Sequence, residues 1–170
     1  MLFGDNSSGG PFSLDVLTAD YLVSGQVDAG AQKWAWTYFS MTEKEVPGTL
    51  EVAVSETRST GSLAAPNLVG KTAGFSYATG LIGLIPRDEA GAKIWDQWAN
   101  LGAPAPAEVT IGPYAITGTL LSPAGGLNFL INDRFAMQDA TVTRVDGAGG
   151  PIDAPRAVFS TRFVQTAAFA

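Results

Sequence analysis

The sequence predicts a mainly β protein: two fused small antiparallel β-barrels, arranged as a tandem repeat about a pseudo-twofold axis, with one connecting α-helix. Three observations lead there. A strand pattern that opens on tyrosine, alternates apolar with polar and carries glycine four residues on occurs twice, from Tyr21 to Gly25 and Val27, and from Tyr114 to Gly118 and Leu120. Each copy follows a short β-like run, residues 14–18 and 107–111, across a tight turn-prone connection, Ala19-Asp20 in one and Gly112-Pro113 in the other. Finally, 20 glycines and 10 prolines in 170 residues suit short strands joined by turns.

Taken in order, residues 6–11 read as a loose lead-in before the first hairpin. Gly25 and Gly118 inside their strands predict a bulge or sharp bend, the device that curls a short sheet. Residues 33–39 are the most aromatic stretch, and residues 49–58 alternate as a strand with Leu50, Val52 and Val54 on one side. Parity places Glu51 and Glu56 on opposite faces of that strand. Residues 81–85 are apolar enough for a buried strand. A helix follows Pro86, capped by Asp88 or a neighbour, with Ile94, Trp95, Trp98 and Leu101 along one stripe and Glu89 and Lys93 as an i,i+4 pair. Trp95 and Trp98 suit either partner docking or intramolecular packing, and packing is the expectation. Gly102 ends the helix, and residues 103–107, with alternating alanine and proline, read as a stiff tether. After the second hairpin come a strand over residues 139–145, a glycine-rich loop at 146–151 and one long final strand over 156–164. Residues 154–158 echo residues 65–69. The implied division is a first β-barrel repeat over 1–86, a connecting helix and tether over 87–106 and a second repeat over 107–170, each too small to build a core alone.

Composition excludes more chemistry than it suggests. At 46% hydrophobic and 15% charged the chain can bury a core. Its formal charge of −6 repels phosphate backbones, and Lys33, Lys44, Lys71 and Lys93 are scattered, so no nucleic-acid partner is expected. Without cysteine there is no disulfide, thiolate nucleophile or thiolate zinc site; without histidine there is no Ser-His-Asp triad and no imidazole-ligated metal. Only an all-oxygen metal site survives, and EF-hand spacing is missing, so no metal and no cofactor are expected. The start lacks a basic segment followed by an apolar run, and no apolar stretch approaches the roughly 20 residues that span a bilayer. A cytoplasmic protein without a membrane partner is the expectation.

Two residue groups carry what candidate chemistry remains. Trp34, Trp36 and Tyr38 share one strand face and suit a stacking platform or an apolar pocket; the plainer reading is core or interface packing. Asn132, Asp133 and Arg134 form the densest polar cluster, where Asp133 suits a general base and Arg134 an anion binder. The plainer reading there is a turn whose side chains bond their own backbone. Arg156 and Arg162 share parity on the final strand and read as edge guards. Residues 147–150 lack the Gly-Lys-Ser/Thr ending of a phosphate loop, and Asp146 and Asp153 are a weak calcium signal.

Ile116, Gly118, Asn132, Asp133, Asp139, Ala140 and Val142 match, in order, a hydrophobic-x-Gly strand, an Asn/Asp turn and a strand with an Asp-Ala-x-Val core. In this pattern the second half resembles small Sm-like β-barrel domains of an uncharacterised bacterial family. The first half lacks the Asn-Asp turn. The resemblance implies oligomers, often rings; it adds little for RNA, because Asp146-Gly147 stands where such rings use a basic residue before glycine. The combined expectation is a non-catalytic binding or assembly module of two Sm-like barrels that self-associates or takes a protein partner. The alternatives are a small apolar-ligand barrel using Trp34, Trp36 and Tyr38, and a carboxylate-dependent hydrolase or isomerase around Asp133.

Overall fold

A computed structural model describes residues 11–28, 50–75, 80–99, 103–122, 130 and 134–169, with residues 97–99 and 122 as backbone. In chain order the elements are β1 (Pro11–Leu17), β2 (Tyr21–Asp28), β3 (Leu50–Ser59), β4 (Thr72–Phe75), β5 (Gly83–Pro86), α1 (Glu89–Ala99), β6 (Ala103–Ile111), β7 (Tyr114–Ser122), β8 (Arg134–Arg144), β9 (Ile152–Ser160), a 3-10 turn (Thr161–Phe163) and β10 (Val164–Phe169). The protein is mainly β, and the described strands form one continuous antiparallel sheet in the order β10-β6-β7-β8-β9-β5-β1-β2-β3-β4. Read by halves, the fifth strand returns beside the first both times: β5-β1-β2-β3-β4 and β10-β6-β7-β8-β9. The halves meet where β9 pairs with β5, Val158 opposite Leu84 and Phe159 opposite Gly83.

Both predicted hairpins form. Leu17 pairs with Leu22 around the first turn, and Ile111 with Tyr114 around the second, where Gly112 takes the left-handed φ of 53° that favours glycine. Each predicted bend is a bulge, but the extra residue lies on the strand facing the glycine. Ser24 pairs with Glu56 and Gly25 with Val54, which leaves Ser55 bulged; across from Gly118, Thr117 pairs with Thr141 and Thr119 with Gln138. The facing strand crowds the glycine in both places. A Cβ on Gly25 would sit 2.2 Å from the Ala53 carbonyl oxygen, and one on Gly118 would sit 2.8 Å from Ala140 Cα.

Strand alternation feeds two apolar clusters on opposite faces of the sheet. Val16, Leu84 and Val158 join one, with Phe12, Leu14, Val23, Val52 and Trp95. Their chain neighbours Leu17, Ile85 and Phe159 join the other, with Tyr114, Ile116, Met137 and Val142. Strand β5 is therefore buried on both faces along its whole length, as its unbroken apolar run predicts. Helix α1 is capped by Asp88, whose Oδ1 accepts from Gly91 N at 2.9 Å and whose Oδ2 accepts from Ser13 N at 2.8 Å. Trp95 is buried, and its indole N–H donates to the Ala157 carbonyl at 3.0 Å, so its role is packing within the chain.

The structure departs from the sequence expectations at five points. The proline-alanine stretch is no tether: Ala103 to Ala107 begin β6 and pair with β7 from Ser122 to Gly118. Strand β10 covers the other side of β6 only from Ala107 onward, so Pro104 and Pro106 fall where missing N–H groups cost no ladder bond. The long final strand is broken by the 3-10 turn, whose first N–H groups are capped when Ser160 Oγ accepts from Arg162 N at 3.2 Å. Arg156 therefore lies on β9 and Arg162 in the turn, and they do not share a strand face. The bulge at Ser55 resets parity in β3, so Glu51 and Glu56 lie on the same face, Glu56 beside Ser24 and Ala53 beside Gln26. The echo at residues 65–69 precedes β4 as loop, whereas residues 154–158 lie within β9.

Gly25→Ala is expected to cost about 3 kcal/mol in urea denaturation, because backbone rather than a flexible side chain occupies the Cβ position. Gly150→Ala, where a Cβ meets nothing within 4 Å, is expected to shift stability by less than about 0.5 kcal/mol.

Candidate functional site

Two polar constellations stand out, one open and one closed. The open one is a depression of about 390 Å³ lined by Asp15, Leu22, Ser24, Glu56, Arg58 and Arg87. Strand register builds its floor. Asp15 on β1 pairs with Ser24 on β2, which pairs with Glu56 on β3; the next row runs Leu17, Leu22, Arg58. Arg87, just past β5, reaches over Asp15. Its Nε donates to Asp15 Oδ2 at 2.7 Å and its Nη1 to the Asp153 carbonyl at 2.7 Å. Asp15 is only 8% exposed, so this pairing compensates a carboxylate held inside an otherwise apolar run. Glu56 and Arg58 are exposed and make no ion pair with another described residue.

The closed constellation joins the halves around Tyr114, which is fully buried. Its hydroxyl donates to the Thr18 carbonyl at 2.5 Å, with the Ala19 carbonyl at 3.2 Å, and it lies 2.7 Å from Thr60 Oγ1. Arg144 lies over the ring, 5.8 Å from the centroid, and its Nη1 donates to the Ala19 carbonyl at 2.8 Å. Asp146 accepts from Arg144 Nη2 at 3.1 Å and from Ala148 N at 2.9 Å. These bonds hold the Asp146 carboxyl below its ordinary range and push the Arg144 guanidinium up, in each case chiefly through their mutual hydrogen bond. Burial raises the Tyr114 hydroxyl above its ordinary value, against the opposing pull of Thr60 and Arg144. Tyr114 is thus a protonated donor at neutral pH. Every polar group of the cluster is spent on backbone or on a neighbour, which makes it a clasp between turns of the two halves and leaves no base to activate a nucleophile.

Trp34, Trp36 and Tyr38 lie outside the described residues, as do Asn132 and Asp133. Arg134 opens β8 opposite Ser160; its Nε is buried without a hydrogen-bond partner, and burial lowers its pKa. Asp146 is committed to Arg144, and no group of acidic residues suited to a metal occurs among the described residues. No helix is long and apolar enough to cross a membrane among the described residues. The depression was visible in sequence only through Asp15, a lone acid between Leu14, Val16 and Leu17 that demands a partner; the cation that supplies it lies 72 residues away.

Compared with family models, curated proteins and solved structures, the chain matches none.

Tyr114→Phe is expected to cost about 1–3 kcal/mol, since it strips a donor from buried carbonyls. The raised pKa sets a sign as well. Stability from the neutral hydroxyl is fully present below the unfolded-state value of about 10 and is lost as pH rises through the higher folded value. Alkaline denaturation curves should therefore flatten in the variant between pH 10 and the folded-state value. Arg134→Met is expected to hold stability or raise it by about 1 kcal/mol in urea, because a buried guanidinium nitrogen without a partner is replaced by apolar surface.

Proposed function

We propose that this chain is a non-catalytic assembly module made of two small barrel-like units fused in tandem, and that its partner is a further copy of itself. The observation that carries the reading is the strand order, in which each half runs fifth-first-second-third-fourth. The matching hairpins and the bulge facing glycine in each half support a duplication. Within the chain, the fourth strand of one half (β9) joins the fifth strand of the other (β5). Among the described residues the sheet then ends on the complementary pair, a fifth strand at β10 and a fourth strand at β4. A second copy can repeat the internal seam by laying its β4 along β10, a heterologous contact that closes into a ring or continues as a filament. Phe169 on β10 is 37% exposed and would be covered by such a contact.

The absence of histidine and cysteine supports the non-catalytic part, as does the fully committed polar clasp. Static light scattering across a wide concentration range tests the assembly. Association is expected, and Gln165→Lys with Ala168→Lys, both at exposed positions of β10, is expected to reduce it toward monomer. A strict monomer at every concentration overturns the reading.

A further inference from the structure

The open depression holds two ionic groups of opposite sign that no described residue neutralises. Its fixed wall is the Asp15–Arg87 pair, already satisfied. Its uncommitted groups are the Glu56 carboxylate, the Arg58 guanidinium and the Ser24 hydroxyl, around the buried side chain of Leu22. Glu56 and Arg58 are two residues apart on one strand, past the bulge at Ser55, so both face the same side. Without that bulge Glu56 would point to the opposite face, so the bulge itself assembles the site.

The charge sum decides among ligand classes. Two arginines and two carboxylates cancel, which gives a phosphate no net attraction, and the molecule as a whole is negative. A divalent cation is opposed by both guanidinium groups. A molecule that carries both charges meets a complement for each. Charge-assisted contacts of about 2.8 Å at either end, added to the short ammonium-to-carboxylate span of an α-amino acid, bridge groups carried about 7 Å apart along a strand. The volume of about 390 Å³ stands at the low end for ligand sites and suits a small occupant.

We propose that this depression binds a small zwitterion of the α-amino acid class. Arg58 takes the carboxylate through its planar fork, Glu56 takes the ammonium group, Ser24 supplies a further polar contact and Leu22 meets the side chain. The site lies within the first half and does not depend on the assembly proposed above.

Isothermal titration with leucine tests it, alongside isocaproate, which lacks the amine, and isoamylamine, which lacks the carboxylate. Saturable binding of leucine, with neither single-charge analogue binding, is expected. Arg58→Gln and Glu56→Gln are each expected to weaken leucine binding about tenfold or more. Both side chains are exposed, so the melting temperature serves as a control and is expected to stay unchanged. Two outcomes overturn the proposal: no saturable binding of leucine, or equal binding by the folded variants. Light scattering on the same samples reports assembly separately, so failure of one reading is distinguishable from failure of the other.

Discussion

The seam between β9 and β5 is the constraint on which the rest of the molecule depends. Strand geometry sends successive side chains to opposite faces, and here each face is a different core: Val158 and Leu84 enter one, Phe159 and Ile85 the other. A slip of one residue at this seam would exchange the two sets and spoil both cores at once. Gly83 fits the same logic, since a Cβ there would stand 2.7 Å from the ring of Phe159. Both apolar clusters draw on residues from each half, so neither half completes its packing alone.

Around that seam the halves are alike in path and unlike in finish. Tyr114 is buried and drives its hydroxyl into the turn of the opposite half, where Arg144 and Asp146 secure it. Tyr21, at the matching place in the first half, is only partly buried. Its strand instead presents Ser24 beside Asp15 and Glu56, and the depression lies there. The second half thus commits Tyr114, Arg144 and Asp146 to closing the structure, while the first half leaves Glu56 and Arg58 without an ion pair to another described residue. That asymmetry separates the closed cluster from the open depression without any appeal to similarity.

Much of the path was legible because it rests on short-range rules. Tyrosine-to-glycine alternation marked β2 and β7, two-residue turns marked the hairpins, and the apolar run at 81–85 marked a strand covered on both faces. Asp88 and the stripe through Trp95 marked the helix. The failures share one cause, which is that neighbouring strands change what a residue means. Pro104 and Pro106 read as part of a stiff tether, but among the described residues no strand pairs with their side of β6 at that point, so a strand accommodates them. Glu51 and Glu56 looked opposed, but one bulged residue put them on the same face.

The sequence by itself determined the mainly β class, the doubled hairpins, the bends at Gly25 and Gly118, and the exclusion of thiol and imidazole chemistry, because these follow from residue type and local period. Only the tertiary structure decided that ten strands share one sheet, that Asp15 meets Arg87, and that Glu56 and Arg58 border a common depression. The physical reason is that register, bulges and partners tens of residues distant are set by how two cores fill together, and no local pattern encodes which distant side chain will fill the gap.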